Sequence, residues 1–370
     1  MTDPSAGLPV PDDDRLLMTP GPTALPPSVR SAMGRPLVHP DVEPEFTGYY
    51  RDLLDDLRSA YGTDDDVLVL GGEGILGLEA AMASVLSPGD EVLCLANGVY
   101  GAGFADFVEM QGAVPTVHET DWRTGFDPRA IEELVADGEY VAATMVHCET
   151  PTGLLNDLDE VLGVLQDAGV LTVVDAVSSL GGTPVPVDRI DVCLGASQKC
   201  FSSPPGLTTV SMSDRAWELV GAAEQDTFYT SFGPWQGIEL DPEEPVLLPY
   251  SHLVSNLYAL EASLELFLDE GRKDVFARHE AAAERCRSRG RDLGLQSFPD
   301  LDRCSPTVTA FEVEQPATEL VRRVADEEDV VLATGLGDLE DDILRVGHMG
   351  YNAEVGKVDR AMDALSTVLD

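Results

Sequence analysis

The chain has 370 residues, and 67 Asp and Glu against 23 Lys and Arg give it a formal net charge of −44. Such an acidic excess disfavours nucleic acid and anionic membranes as partners. It does not signal disorder, because 44% of the residues are hydrophobic and apolar runs recur throughout, as in VLVLGG, EVLCLAN and VLTVVDAV.

Residues 1–17 are acidic and Pro-rich, with no basic start and no apolar segment, which predicts a flexible leader and no secretory signal. A helix is expected from about Glu43 to Tyr61, then a strand at 67–70 and a turn that enters a helix through Gly71-Gly72-Glu73-Gly74. Pro88-Gly89-Asp90 stops that helix. Strand 91–96, helix 101–111, the strand AVPTVHE, helix 128–137 and strand 140–147 follow. Helix 157–168 and strands 170–177, 191–197 and 207–213 complete the run. Short apolar strands alternating with helices of about ten residues predict an α/β fold, with a mostly parallel, seven-stranded-type sheet between helices.

After Tyr250 the pattern changes. A long helical stretch (251–292) leads to TVTAFEV, a helix at 316–326, DVVLAT, DILRVG and a terminal helix at 354–368. These predict a smaller C-terminal α+β domain over 259–370, beside a large domain over 18–258. No apolar run reaches the roughly 18–20 residues that span a bilayer, so a cytoplasmic protein is expected. The six cysteines are scattered without a CxxC pair and read as free thiols in a reducing compartment, with no metal site.

Only three lysines occur: Lys199, Lys273 and Lys357. Scarce lysine with abundant aspartate points to a high-salt cytoplasm, where an acidic surface stays hydrated and its self-repulsion is screened. Lys273, in GRKD, and Lys357, in EVGKVDR, have charged neighbours. Lys199 closes the apolar run DVCLGASQK instead. Burial disfavours an ammonium, lowers its pKa and leaves a nucleophilic amine, which makes Lys199 a candidate Schiff-base lysine. A lysine snorkelling from the edge of the core is the competing reading.

The glycines around Glu73 stand between a strand and a helix, where backbone N–H groups and the helix dipole favour an anion. A plain tight turn would look the same. The Glu73 carboxylate would repel a phosphate there, so its side chain should point away unless a cation or proton intervenes. Asp175 ends the strand VLTVVD, on the side where open α/β sheets bind ligands. It serves either as a local cap or as the partner of a pyridinium nitrogen. Phosphate cradle, strand-end aspartate and strand-end lysine, in that order, are what pyridoxal 5'-phosphate chemistry needs.

The segments T-P-G-P-T, A-N-G-V-Y, H-C-E-T-P-T-G, V-V-D-A-V-S-S-L-G-G-T-P, G-A-S-Q-K with S-P-P-G, and R-V-G-H-M-G occur in this order over residues 18–350. In this the chain resembles the class V, fold-type I aminotransferases, above all the alanine–glyoxylate and serine–pyruvate group. The resemblance implies pyridoxal phosphate on Lys199, with Asp175 on the pyridine nitrogen and Tyr100 stacked on the ring, where those enzymes usually have Trp. It implies Gly74, Ile75 and Gln198 around the phosphate, Thr150 near the ring hydroxyl, and Val177 against the ring face. Ser251 would reach the phosphate of a partner subunit, making a homodimer with shared sites. Arg345 would clamp a substrate carboxylate, and Gly21 would line the entry. Glu73 departs from the family's small polar residue. Small amino acids and 2-oxo acids are the implied substrates. The alternatives are a class V lyase such as a cysteine desulfurase, a phosphonate-directed transaminase, and an inactive binding module.

Overall fold

The computed structural model describes residues 15–223 and 227–369. Strand β1 (Leu16–Leu17) precedes helices α1 (Pro27–Ala32) and α2 (Pro44–Tyr61). Pro44 opens α2, and Gly62, with φ +74°, closes it. Next come β2 (Asp66–Gly71), α3 (Gly74–Val85), β3 (Glu91–Ala96), α4 (Val99–Met110), β4 (Val114–Glu119), α5 (Pro128–Asp137) and β5 (Ala142–Val146). A short hairpin, β6 (Cys148–Glu149) and β7 (Leu154–Leu155), leads to α6 (Asp159–Asp167), β8 (Leu171–Asp175), β9 (Val192–Ala196), β10 (Leu207–Met212) and α7 (Asp214–Ala222).

Seven of these strands form one sheet in the order β2-β10-β9-β8-β5-β3-β4. All neighbours are parallel except at β10, which runs antiparallel to both β2 and β9. The local sequence explains the exception. The segment between Ala196 and Leu207 contains no helix, so it cannot form the crossover that a parallel pair requires. That turn therefore lies at the end of the sheet where β2, β5 and β8 finish, and it carries Lys199. β5 and β8 to β10 are buried along their whole length, whereas β4, at the edge, is half-exposed.

The C-terminal part holds α8 (Val254–Glu270), α9 (Arg272–Asp292), β11 (Gln296–Ser297), β12 (Val308–Glu312), α10 (Ala317–Glu328), β13 (Val330–Val331), β14 (Ala333–Thr334), β15 (Ile343–Gly347) and α11 (Val355–Leu369). Its antiparallel sheet has the order β11-β12-β15-β14. The single helical stretch expected over 251–292 is two helices, because Gly271 at φ +85° breaks the α-helical path.

One hydrophobic core runs from Val29 through Phe267 and Val275. A second gathers Leu16, Met18 and residues from Ala282 to Val368. The packing therefore changes hands within α9, later in the chain than residue 258. Most of the expected leader lies outside the described residues. Its last two residues, Leu16 and Leu17, pair in parallel with Val330 and Val331, an ordering that local composition could not reveal. Among the described residues no helix is long and apolar enough to cross a membrane, and all six cysteines are free thiols.

Candidate active site

A cavity of about 230 Å³ opens at the carboxyl end of the large sheet. Gly21, Glu73, Gly74, Ile75, Tyr100, Thr150, Asp175, Val177, Gln198 and Lys199 all line it. Residues from distant stretches of chain thus meet where the topology of open α/β sheets places ligands.

Lys199 is half-buried, and its Nζ donates to the Pro20 carbonyl at 2.7 Å. Burial pulls its pKa down, and the Arg345 charge adds to this, while Asp175 opposes it. The Thr19–Thr23 strap holds the lysine turn in place: Thr23 N–H donates to the Gln198 carbonyl at 3.1 Å, and Thr23 Oγ1 donates to the Lys199 carbonyl at 3.2 Å. Gly21 has φ +100°, and a Cβ there would stand 2.5 Å from Lys199 Cδ and 2.7 Å from its Nζ. Only glycine lets this strap pass so close to the amine.

Asp175 is buried, and its Oδ1 accepts the Val177 N–H at 2.8 Å. Burial pushes its pKa up to about 6, against the pull of that hydrogen bond and of Lys199. Thr150 is buried, and its hydroxyl bonds that of Ser178. Arg345, buried on β15, donates from Nη1 to the Thr150 carbonyl at 3.2 Å and from Nε to the Thr334 carbonyl. Burial lowers its pKa to about 10, so it remains a cation at neutral pH. Arg345 stands behind the cavity wall rather than among the lining residues, and it is close enough to act electrostatically on Lys199 and Tyr100. Ser251 is exposed and does not line the cavity.

Glu73 does not point away. It caps α3, with Oε1 accepting the Ile75 N–H at 3.3 Å and Oε2 accepting from Gln198 Nε2 at 3.3 Å. Three further contributors carry no clear mark in the sequence. Glu149 is fully buried and accepts the backbone N–H of Tyr100 at 3.2 Å and of Gly101 at 2.6 Å, which fixes the start of the helix that carries Tyr100. A Cβ on Gly98 would fall 2.3 Å from the Glu149 carboxyl carbon. An acid three residues after the apolar strand Ala142–Val146 was the available signal. Thr208 donates to the Glu73 carbonyl at 2.7 Å, and Tyr250 accepts the Gly71 N–H at 3.1 Å, so both brace the turn.

The family model described as Aminotransferase class-V matches residues 39–338. The chain belongs to the class-V aminotransferase family. It is 32% identical over 366 residues to the pyridoxamine–pyruvate transaminase of Mesorhizobium japonicum, across 97% of this chain and 92% of that one. It is 30% identical over 367 residues to the alanine–glyoxylate aminotransferase of Mus musculus, across 96% and 87%. The crystal structure of an alanine–glyoxylate aminotransferase from Nostoc sp. superposes with a TM-score of 0.92 at 28% identity, covering 98% of this chain and 97% of that one. This class-V aminotransferase is a pyridoxal-phosphate enzyme of the expected fold, and it transfers amino groups between amino and oxo acids.

The residues at the ring end of the cavity fit that cofactor. An amine, a strand-end carboxylate and an aromatic ring line one cavity. The Ile75 N–H and the Gln198 amide are donors suited to an anion, and the Glu73 carboxylate engages both. The buried Gln198 Oε1 has no partner, and as an acceptor it asks for a donor.

Proposed function

We propose that this aminotransferase moves an amino group between a small amino acid, alanine or serine, and a small 2-oxo acid, glyoxylate or pyruvate. One observation carries the reading: Lys199 and Asp175 line a cavity of about 230 Å³, with Arg345 bonded to the lining residue Thr150 behind them, and this leaves little room for a large side chain. Pyridoxal phosphate, when bound, supplies an electron sink for the charge that develops at substrate Cα as its proton leaves.

The protein's own residues do the rest. Lys199 would hold the cofactor and would carry the proton away from substrate Cα; burial lowers the basicity of its amine. Asp175 would keep the pyridine nitrogen protonated. Tyr100 and Val177 would sandwich the ring, Thr150 would meet its hydroxyl, and Gly74, Ile75 and Gln198 would receive the phosphate. Arg345 would clamp the substrate carboxylate, with its orientation set by the two carbonyls it already bonds. Gly21 and the strap over Lys199 would exclude water from one side. Exposed Ser251 fits a contribution to a partner subunit's site in a homodimer. A salt-rich cytoplasm suits the acidic surface.

A desulfurase would need a mobile nucleophilic cysteine. Cys304 lies outside the cavity, and burial raises its thiol pKa. The test is a panel of amino donors against glyoxylate, pyruvate and 2-oxoglutarate in high salt, with Lys199→Ala as control. Alanine or serine with glyoxylate or pyruvate should lead. Sulfide release from cysteine outrunning amino transfer would defeat the reading.

A further inference from the structure

The end of the cavity at α3 is occupied by the protein's own anion. The Glu73 carboxylate takes the Ile75 N–H with one oxygen and the Gln198 amide with the other. These are two of the three groups, with Gly74, that would receive a phosphate. A phosphate dianion arriving there must displace the carboxylate and its two hydrogen bonds, or sit beside a like charge. Solvent at the mouth of the cavity weakens the repulsion, since Glu73 is exposed, but it does not return the two donors. Among the described residues lining the cavity, Lys199 is the one cation, and its Nζ is engaged with Pro20.

A second observation points the same way. Gln198 is 5% exposed, and with Nε2 turned to Glu73 its buried Oε1 has no donor. The cradle therefore presents acceptors: two carboxylate oxygens and an amide oxygen. Such a site asks for a ligand that can donate. A phosphate dianion brings only acceptors. A free hydroxymethyl group on the same ring brings an O–H.

We propose that Glu73 is a built-in occupant of the phosphate cradle, and that this site therefore holds the phosphate ester loosely and admits the phosphate-free hydroxymethylpyridine aldehyde or amine as an exchangeable ligand. The proposal rests on the pyridine chemistry at Lys199 set out above, and it makes Glu73 the residue that decides between the two forms of the ring. Removing its charge weakens its hold on both donors, lifts the repulsion of the phosphate and leaves a weaker acceptor for a hydroxymethyl group.

The test titrates the full-length apo-protein with pyridoxal phosphate and with pyridoxal, following the near-visible absorbance and tryptophan fluorescence. Wild type, Glu73→Ser and Glu73→Gln are compared in one high-salt buffer. In wild type the two dissociation constants should lie within about tenfold of each other, and each substitution should shift their ratio by about tenfold or more toward the phosphate ester. A smaller shift overturns the proposal, whatever the absolute affinities. Glu73→Gln keeps the side chain's length and so decides the matter if Glu73→Ser does not fold. The underlying reading fails separately: if neither ring gives a near-visible band with wild type, the pyridine chemistry at Lys199 is wrong. A band with the phosphate ester, at a ratio the substitutions leave unmoved, overturns the role of Glu73 alone.

Discussion

Glu149 and Tyr100 illustrate how one buried side chain positions another. The Glu149 carboxylate receives two N–H groups from the first turn of α4, yet burial still drives its pKa up to about 7. Between the ordinary glutamate value of 4.5 and about 7 the folded protein keeps a proton that the unfolded chain releases. The contribution of Glu149 to stability therefore falls as pH rises across that window. Glu149→Gln should flatten the difference in unfolding free energy between pH 5 and pH 7 by on the order of 2–3 kcal/mol, measured by urea titration in high salt. An unchanged slope would contradict the assignment. Asp175, raised to about 6, contributes in the same direction and remains in both proteins. At this scale the sequence revealed residue types and order well: the strand-end Asp175, the lysine without charged neighbours and the glycines of the cradle all reach one cavity. It did not reveal side-chain direction. The turn of Glu73 toward Gln198 joins residues 125 positions apart, and that of Glu149 toward Tyr100 spans 49. Such pairings are set by tertiary packing.

The elements that position the site are those whose boundaries carry an unmistakable chemical mark. Gly74 opens α3, Asp175 ends β8, and the helix-free turn after β9 forces β10 to run antiparallel and brings Lys199 to the ligand end. Alternation of short apolar runs with helices was legible, because strands buried on both faces cannot hide their composition. The pairing of Leu16–Leu17 with Val330–Val331 was not, since two-residue strands carry no periodicity. The break between α8 and α9 was also missed. A single glycine in a helical pattern is common, and only its φ of +85° shows that it ends the helix. Gly271→Ala should accordingly destabilise the fold by about 1 kcal/mol, through a Cβ held at positive φ. No atom crowds that position, and it does not line the cavity, so the near-visible absorbance should be unchanged. A thermal scan alongside the absorbance spectrum checks both halves; a stabilised variant would refute backbone strain at Gly271.

At the scale of the molecule, a charge of −44 sits on a fold with two large apolar cores. Self-repulsion of this size opposes compaction at low ionic strength, and it is screened as the Debye length shrinks from about 10 Å at 0.1 M to about 3 Å at 1 M salt. The urea midpoint should therefore rise steadily with KCl over that range. A flat or falling midpoint would mean that charge repulsion does not govern stability in low salt. The two cores also set the location of chemistry. The strap at Thr19–Thr23 leaves the second core at Met18 and crosses onto the Lys199 turn of the first sheet, so the amine lies where the two packing units meet. In the proposed reaction that amine moves the substrate's Cα proton. The most direct measurement is exchange of the Cα hydrogen of alanine in D2O, followed by proton NMR with the cofactor-loaded protein. Wild type should wash out the Cα signal, and Lys199→Ala should slow it by about 10²–10⁴-fold with the fold intact by circular dichroism. Exchange at the wild-type rate in Lys199→Ala would contradict that role for the amine.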